Sequence, residues 1–358
     1  MGRKKQMIKK DITPKVIKEY LDEVMVGQDE AKRRVAVEIY RHALRMDNEF
    51  ELDDMGKSIS KNNVLMTGLT GTGKTFMWQK IAEFLDIPIY IQDTTKMTAS
   101  GYVGEDIENC LKGLLENADY DFDKAERGII VLDELDKSSR KSENPSVTRD
   151  VSGESVQQGL LKMLEGTIST IPTESRRHPM DEGTQIDTTN ILFVGCGSFE
   201  GIEEIVKERL RKENKNDRTI GFGVNNSKKD ELSIDEIRAN ITREDLVKYG
   251  MLPELLGRFP IVTNLKPLHK EDMIDILKLN NGIFEEYKTT FRLMGKTLIV
   301  KDEVYEYIVE KALKENIGAR GLKAIAEDIM FNVMYDAPSE RKKRYVVDMK
   351  YINSLEVA

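Results

Sequence analysis

The sequence predicts an α/β fold: a large domain, built as a parallel sheet flanked by helices, followed by a small, mostly helical α+β domain. Three observations carry this prediction. Apolar runs of strand length alternate with helical stretches between residues 63 and 199. A glycine-rich loop, GLTGTGKT at 68–75, lies between the first such run and a helix. A second run, IIVLDELDK at 129–137, ends in acids. At 358 residues the chain has the length for two domains.

The chain opens on a basic tail, MGRKKQMIKK (1–10), with no apolar segment behind it, so it reads as a solvated tail rather than a signal peptide. Residues 11–46 read as two helices broken at Val26-Gly27-Gln28, and 47–61 are polar and loop-like. Strands are predicted at 63–67, 88–92, 128–132 and 190–194. Polar insertions interrupt the alternation at 138–153 and 168–187, and a charged region, 207–236, contains the apolar island IGFG. The segment NLKPL (264–268) reads as a hinge, which puts the large domain at 11–264 and the small one at 265–358. In the small domain 270–292, 302–315 and 319–335 read as helices, with short strands near 297–300 and 344–349.

Composition narrows the function. A hydrophobic content of 39% with 33% charged residues describes a globular protein with a charged surface. The net charge of −8 argues against a general nucleic-acid binder. No apolar stretch is long enough to span a bilayer. Cys110 and Cys196 are the only cysteines, too few for a zinc-ribbon module, so no zinc is expected; their scarcity points to a reducing compartment, the cytoplasm. His42, His178 and His269 are scattered and suggest no metal site. No nucleophile–histidine–acid set of a protease can be singled out.

The chemistry is concentrated in two motifs. GLTGTGKT matches G-x-x-x-x-G-K-[ST] at every fixed position. Gly68, Gly71 and Gly73 let the backbone turn tightly and present N–H groups to phosphate oxygens. Lys74 reaches the β- and γ-phosphates, and Thr75 offers a hydroxyl to Mg²⁺. The flanks agree, because NVLMT (63–67) is a strand and FMWQKIAEFL (76–85) a helix whose N-terminus faces the anion. In the second motif Asp133 ends a buried strand and holds Mg²⁺ directly or through water, and Glu134 is placed to orient and polarise the attacking water. Taken alone, Glu134 is also an ordinary exposed acid after a strand. Together the motifs predict an ATPase using ATP and Mg²⁺.

With these motifs placed, other segments become legible. The chain resembles the AAA+ protein unfoldases of the ClpX family from about residue 11 almost to its end. The matching segments are VGQDEAKRRVAV (26–37), GLTGTGKT (68–75), SGYVGEDIEN (100–109), IIVLDELDK (129–137), TRDVSGESVQQGLLKMLEGT (148–167), IGFG (220–223), LPELLGRFP (252–260) and IGARGL (317–322). The resemblance implies an AAA+ large domain and small domain, a homohexameric ring with ATP at its subunit interfaces, unfolded or tagged protein substrates, and delivery to a ClpP-type peptidase, with no membrane or nucleic acid involved.

It also implies residue roles. Arg258 matches the arginine finger that reaches a neighbouring subunit's site, and Arg320 the sensor-2 arginine of the small domain. Met25 and Val26 stand where the family lines its adenine pocket, though apolar residues there serve equally as core. Thr70, Thr72 and Phe76 complete the nucleotide-contacting stretch. Tyr102 and Val103, in GYVG, match the pore loop near 100–105 that grips polypeptide; in isolation Tyr102 would read as a buried turn residue. Residues 142–153, with Arg149, resemble a second pore loop. Arg176, Arg177 and His178, in the basic loop 174–182, resemble an entrance loop that attracts the carboxylate of a C-terminal tag, the plainer reading being a solvated basic loop. Ile220, Gly221 and Phe222, in the loop 212–230, match the tripeptide that docks on the peptidase ring; the alternative is that they tuck onto their own domain.

The chain departs from the family in three places. The cysteines of the family's N-terminal zinc domain are absent, Leu69 stands where the family has proline, and the sensor-1 residue after strand 190–194 is open between Cys196 and Ser198. The reading is therefore an ATP-dependent unfoldase and translocase without a protease site of its own. Its rivals are a peptidase-independent remodelling chaperone, an HslU-type unfoldase, and a nucleotide-gated scaffold with little turnover.

Overall fold

A computed structural model describes residues 11–98, 105–139, 151–171, 185–217, 232–315 and 317–356. The chain divides into two compact units. The first comprises residues up to 18, 29–69 and 74–267; the second comprises 19–28, 70–73 and 268–358.

The first unit is organised on a five-stranded sheet: β1 (Val64–Thr67), β2 (Ile89–Asp93), β3 (Ile129–Asp133), β4 (Leu192–Gly197) and β5 (Ile261–Asn264). All pairs are parallel and the order is β2-β3-β4-β1-β5. Every residue of β1 and β4 is buried, which the apolar runs VLMT and LFVGCG allow; a sheet covered on both faces needs no polar alternation. The order also has a functional consequence. After β1 the chain crosses to the far edge and works back, so the carboxyl ends of β1, β4 and β3 lie side by side, where open α/β sheets bind ligands.

The Lys74–Leu85 helix packs back on this sheet through Met77, Trp78, Ile81, Ala82 and Leu85. Their spacing forms one helical stripe. Trp78, the chain's single tryptophan, is fully buried.

The predicted helix pair near the start is present as Pro14–Val24 and Asp29–Asp47. It breaks where expected, because Gly27 (φ 62°) and Gln28 (φ 60°) are consecutive left-handed residues that no α-helix accommodates. All four predicted strands form. Three further features were not anticipated. β5 is a fifth strand beyond Phe259-Pro260. The loop-like 47–61 contains the short helix Glu49–Asp54. The insertion 168–187 is bounded by an antiparallel pair, Ile168–Thr170 with Gln185–Asp187.

The second unit holds the helices Lys270–Lys278, Ile283–Leu293, Asp302–Lys314, Gly318–Asp336 and Met349–Glu356 around a parallel pair, β6 (Thr297–Val300) and β7 (Arg344–Val347). The single helix expected over 270–292 is two helices. Asn280-Asn281-Gly282 intervenes, and a Cβ at Gly282 would stand 2.9 Å from the Leu279 carbonyl oxygen. Edge-to-face contacts of Phe284 with Tyr305 (5.2 Å) and Phe291 with Tyr345 (5.3 Å) lie within its core. Among the described residues, no helix is long and apolar enough to cross a membrane.

Candidate nucleotide site

β1 ends at Thr67, and the chain turns at once into the glycine-rich loop. Gly71 (φ 82°) and Gly73 (φ 94°) have backbones that L side chains rarely adopt, so glycine is required at both. A Cβ at Gly73 would come within 2.8 Å of Met25 Cε, and one at Gly71 would lie 3.8 Å from the backbone nitrogens of Ala319 and Arg320. These are contacts within the second unit, which gathers residues 19–28, 70–73 and 268–358.

Lys74 opens the following helix and is only 8% exposed. Its Nζ donates to the carbonyls of Gly68 (2.7 Å) and Leu69 (3.1 Å), so the loop curls around its own ammonium. One residue on, Thr75 Oγ1 donates to Asp133 Oδ2 at 2.7 Å. This bond joins the two motifs across 58 residues of sequence. Asp133 is held from its other side, since its Oδ1 accepts from Glu134 N (3.0 Å) and its carbonyl from Thr94 Oγ1 (2.9 Å). Glu134 is exposed and left-handed, at φ 55° and ψ 33°. A non-glycine residue in that region costs about 1–2 kcal/mol, and such strain clusters at functional sites.

β4 runs between β1 and β3, and its Gly197 carbonyl accepts from Gly68 N at 3.2 Å. The two candidates for the sensor-1 position, Cys196 and Ser198, have different surroundings. Cys196 is fully buried within β4, and burial pushes its thiol pKa upward, Asp133 adding to the rise and Lys74 opposing it. Ser198, just past the strand, commits its hydroxyl to Asp136 Oδ2 at 3.1 Å. Asp136 is a residue that sequence reasoning quoted within DELDK without giving it a role. Its only signal was a third acid in the motif, because its partners lie 62 and 63 residues away.

The donor set fits a nucleotide with Mg²⁺. A hydroxyl and a carboxylate 2.7 Å apart are hard oxygen ligands, and the loop glycines leave a cradle that side chains would fill. Among the described residues, no three His, Cys, Asp or Glu side chains form a metal cluster of their own. Mg²⁺ characteristically takes one or two protein oxygens and completes its shell with phosphate and water.

The remaining sequence-predicted residues lie as follows. Met25 is buried and Val26 partly exposed. Thr72 is buried and Thr70 exposed, while Phe76 is exposed with Lys80 Nζ 5.6 Å over its ring. Arg320 is exposed in the first turn of the Gly318–Asp336 helix. Arg258 ends the Pro253–Gly257 helix, where its half-exposed guanidinium pairs with Glu165. Its carbonyl accepts from Asn63 Nδ2 at 2.9 Å, which fixes it at the amino end of β1, whereas the loop leaves the carboxyl end. Four residues of β1 span about 10 Å at ~3.3 Å per residue, so the backbone of Arg258 stands at the opposite end of the strands from its own chain's Thr75 and Asp133. Tyr102, Val103, Arg149, Arg176, Arg177, His178, Ile220, Gly221 and Phe222 lie outside the described residues.

Comparison with known proteins agrees with this geometry. Residues 59–262 match the family described as AAA domain (Cdc48 subfamily), and residues 268–348 match the C-terminal, D2-small domain of ClpB protein. A protein of Bacteroides fragilis named ATP-dependent Clp protease ATP-binding subunit ClpX is 44% identical over 342 residues, covering 94% of this chain and 80% of that protein. Namesakes from Bacteroides thetaiotaomicron (43% over 352 residues, 98% of this chain and 83% of that protein) and Treponema denticola (43% over 345 residues, 96% and 81%) are similar throughout.

Proposed function

Because this chain belongs to the ClpX family of AAA ATPases, we propose that it is an ATP-dependent unfoldase and translocase that feeds tagged proteins to a ClpP-type peptidase. The observation that carries the ATPase half is the 2.7 Å bond from Thr75 to Asp133, which joins both nucleotide motifs at the carboxyl end of the sheet with Glu134 beside them. Loop amides and Lys74 bind and orient the phosphates of ATP. Thr75 and Asp133 would hold Mg²⁺, which when bound would neutralise charge on the phosphate oxygens. Glu134 orients the attacking water and draws off its proton.

Arg258 supports a multi-subunit site. It cannot serve its own chain's loop from the amino end of β1, and a planar, always-charged guanidinium on an exposed edge suits the neighbouring copy's γ-phosphate. A homohexameric ring would supply such a neighbour at every site. Arg320 is the small-domain residue that registers nucleotide state, and Met25 contributes to the base pocket. Substrate is gripped by Tyr102 and Val103 with Arg149, admitted past Arg176, Arg177 and His178, and the peptidase is docked through Ile220-Gly221-Phe222. Extended identity to proteins named ClpX favours this reading over an HslU-type unfoldase.

ATP-dependent degradation of a tagged, stably folded fluorescent protein with cognate ClpP tests the whole reading. The native chain degrades it and Phe222→Ala does not. ATP hydrolysis without degradation by the native chain would favour the peptidase-independent remodelling chaperone.

A further inference from the structure

We infer that Asp136 is a positioning residue for ATP hydrolysis: its buried carboxylate locks the turn that carries Glu134 to the turn that ends β4. The inference rests on the reading of Glu134 as the acid that orients water.

Glu134 does not hold its left-handed backbone alone. Immediately after it the chain makes a 3₁₀ turn, Leu135–Ser138, closed by Lys137 N donating to the Glu134 carbonyl (2.9 Å) and Ser138 Oγ to the Leu135 carbonyl (2.7 Å). Gln157 Nε2 pins the end of that turn through the Ser138 carbonyl at 2.8 Å. In its middle stands Asp136, 2% exposed. Its Oδ1 accepts from Ser198 N (3.1 Å), and its Oδ2 from Ser198 Oγ (3.1 Å) and Phe199 N (3.3 Å). Lys137 Nζ lies 3.7 Å away on the exposed side. A carboxylate in so dry a place is tolerable only because it is bonded this fully.

The receiving turn is itself strained. Phe199 is left-handed at φ 49°. Gly197 has to be glycine, since a Cβ there would lie 2.5 Å from the Phe199 ring and 2.9 Å from Asp136 Oδ1. Arg238, 1% exposed, grips the turn from outside, donating to the Ser198 carbonyl (2.9 Å) and, through Nε, to Glu203 (2.8 Å). On the inner side Gly197 O bonds Gly68 N at the start of the phosphate loop. Two left-handed, non-glycine turns thus face each other across one carboxylate. One carries Glu134 and the other abuts the phosphate loop. The carboxylate fixes where Glu134 sits relative to the phosphates, and Ser198 serves that lock rather than contacting nucleotide itself.

Asp136→Asn keeps the shape and offers one accepting oxygen in place of two, turning an N–H toward donors. Turnover should fall about 10- to 100-fold, the scale of an ångström-sized misplacement, while the affinity for a fluorescent ATP analogue stays within about threefold. The deciding measurement is a double-mutant cycle on single-turnover hydrolysis. In a Glu134→Gln background Asp136→Asn should change nothing further, because the group it positions is gone. An equal loss in both backgrounds, or normal turnover in Asp136→Asn, overturns the inference. Should Glu134→Gln alone hydrolyse normally, the water-orienting reading itself fails, a result visible before Asp136 is touched. If Asp136→Asn does not fold, Ser198→Ala replaces it, since two of the three bonds survive. It should lower turnover about two- to fivefold with Glu134 present and not at all without it; unchanged turnover in the folded Ser198→Ala protein refutes the lock.

Discussion

Gly73→Ala distinguishes the loop's backbone from its side chains as the source of nucleotide affinity. Gly73 is at φ 94°, outside even the left-handed region that L residues visit at a cost of about 1–2 kcal/mol. The new methyl would also stand 2.8 Å from Met25 Cε. The second problem is the smaller one. Met25 Cε is the free end of a flexible side chain, and turning it aside costs about 0.5–1.5 kcal/mol. The backbone has no such escape while the loop amides remain aimed at phosphate. The sum, about 1.5–3.5 kcal/mol, corresponds to roughly 10- to 400-fold weaker binding. Equilibrium titration with a fluorescent ATP analogue measures it, with thermal denaturation as a check on folding. Because Met25 also borders the proposed base pocket, the proper comparison is Gly73→Ala/Met25→Ala against Met25→Ala. The loss there should shrink by less than about tenfold. Complete recovery in that pair would make the methyl clash the cause, and unchanged affinity in Gly73→Ala would show that the φ 94° loop is not the binding conformation.

Four more expectations follow from the site and the core. Glu134→Gln should bind ATP normally and lose turnover by about 10²-fold or more, measured by phosphate release; wild-type release rates would remove Glu134 from its role. Arg258→Ala should cost about 10³-fold in hydrolysis, and mixing it with Lys74→Ala subunits should restore part of the rate by pairing an intact finger with an intact loop; no recovery in mixed assemblies would mean the arginine does not act in trans. Tyr102→Ala should retain most ATPase activity and slow unfolding of a stable tagged protein; unfolding at the native rate counts against the gripping role of Tyr102. His42 is held at a pKa of about 3, below its usual 6.5, by burial first and by Arg45 and Lys61 next. The unfolded chain therefore binds the extra proton between these values, and the stability His42 confers is complete above pH 6.5 and drains away as pH falls toward 3, by up to about 1.4 kcal/mol per pH unit. Urea melts of His42→Gln should show a flatter acid limb, and an identical limb would place the acid sensitivity elsewhere.

The sheet and the loop were legible because each rests on local sequence. IIVL and VLM are unbroken apolar runs, and GLTGTGKT carries Gly71 and Gly73 where the backbone needs positive φ. β5 was not legible: it has four residues at a sheet edge, only Thr263 of them buried, so no apolar run announces it. The pairing of Thr75 with Asp133 could be guessed from the motifs. The bonds of Asp136 could not, because acids inside DELDK look alike until the fold brings residues 198 and 199 against one of them. The same holds for Ser198: local sequence leaves its hydroxyl unassigned, and the fold commits it to Asp136.

Trp78 gives the molecule a built-in optical label. It is the chain's single tryptophan, fully buried one turn into the helix that starts at Lys74, with no hydrogen-bond acceptor for its indole Nε1 among the described residues. Selective excitation of indole emission therefore reports on one unit alone. Melting of the first unit shifts the emission toward the red, whereas unfolding confined to the second unit is silent in that channel and must be followed through tyrosine or backbone signals. Comparing the channels separates the stabilities of the two units without cutting the chain.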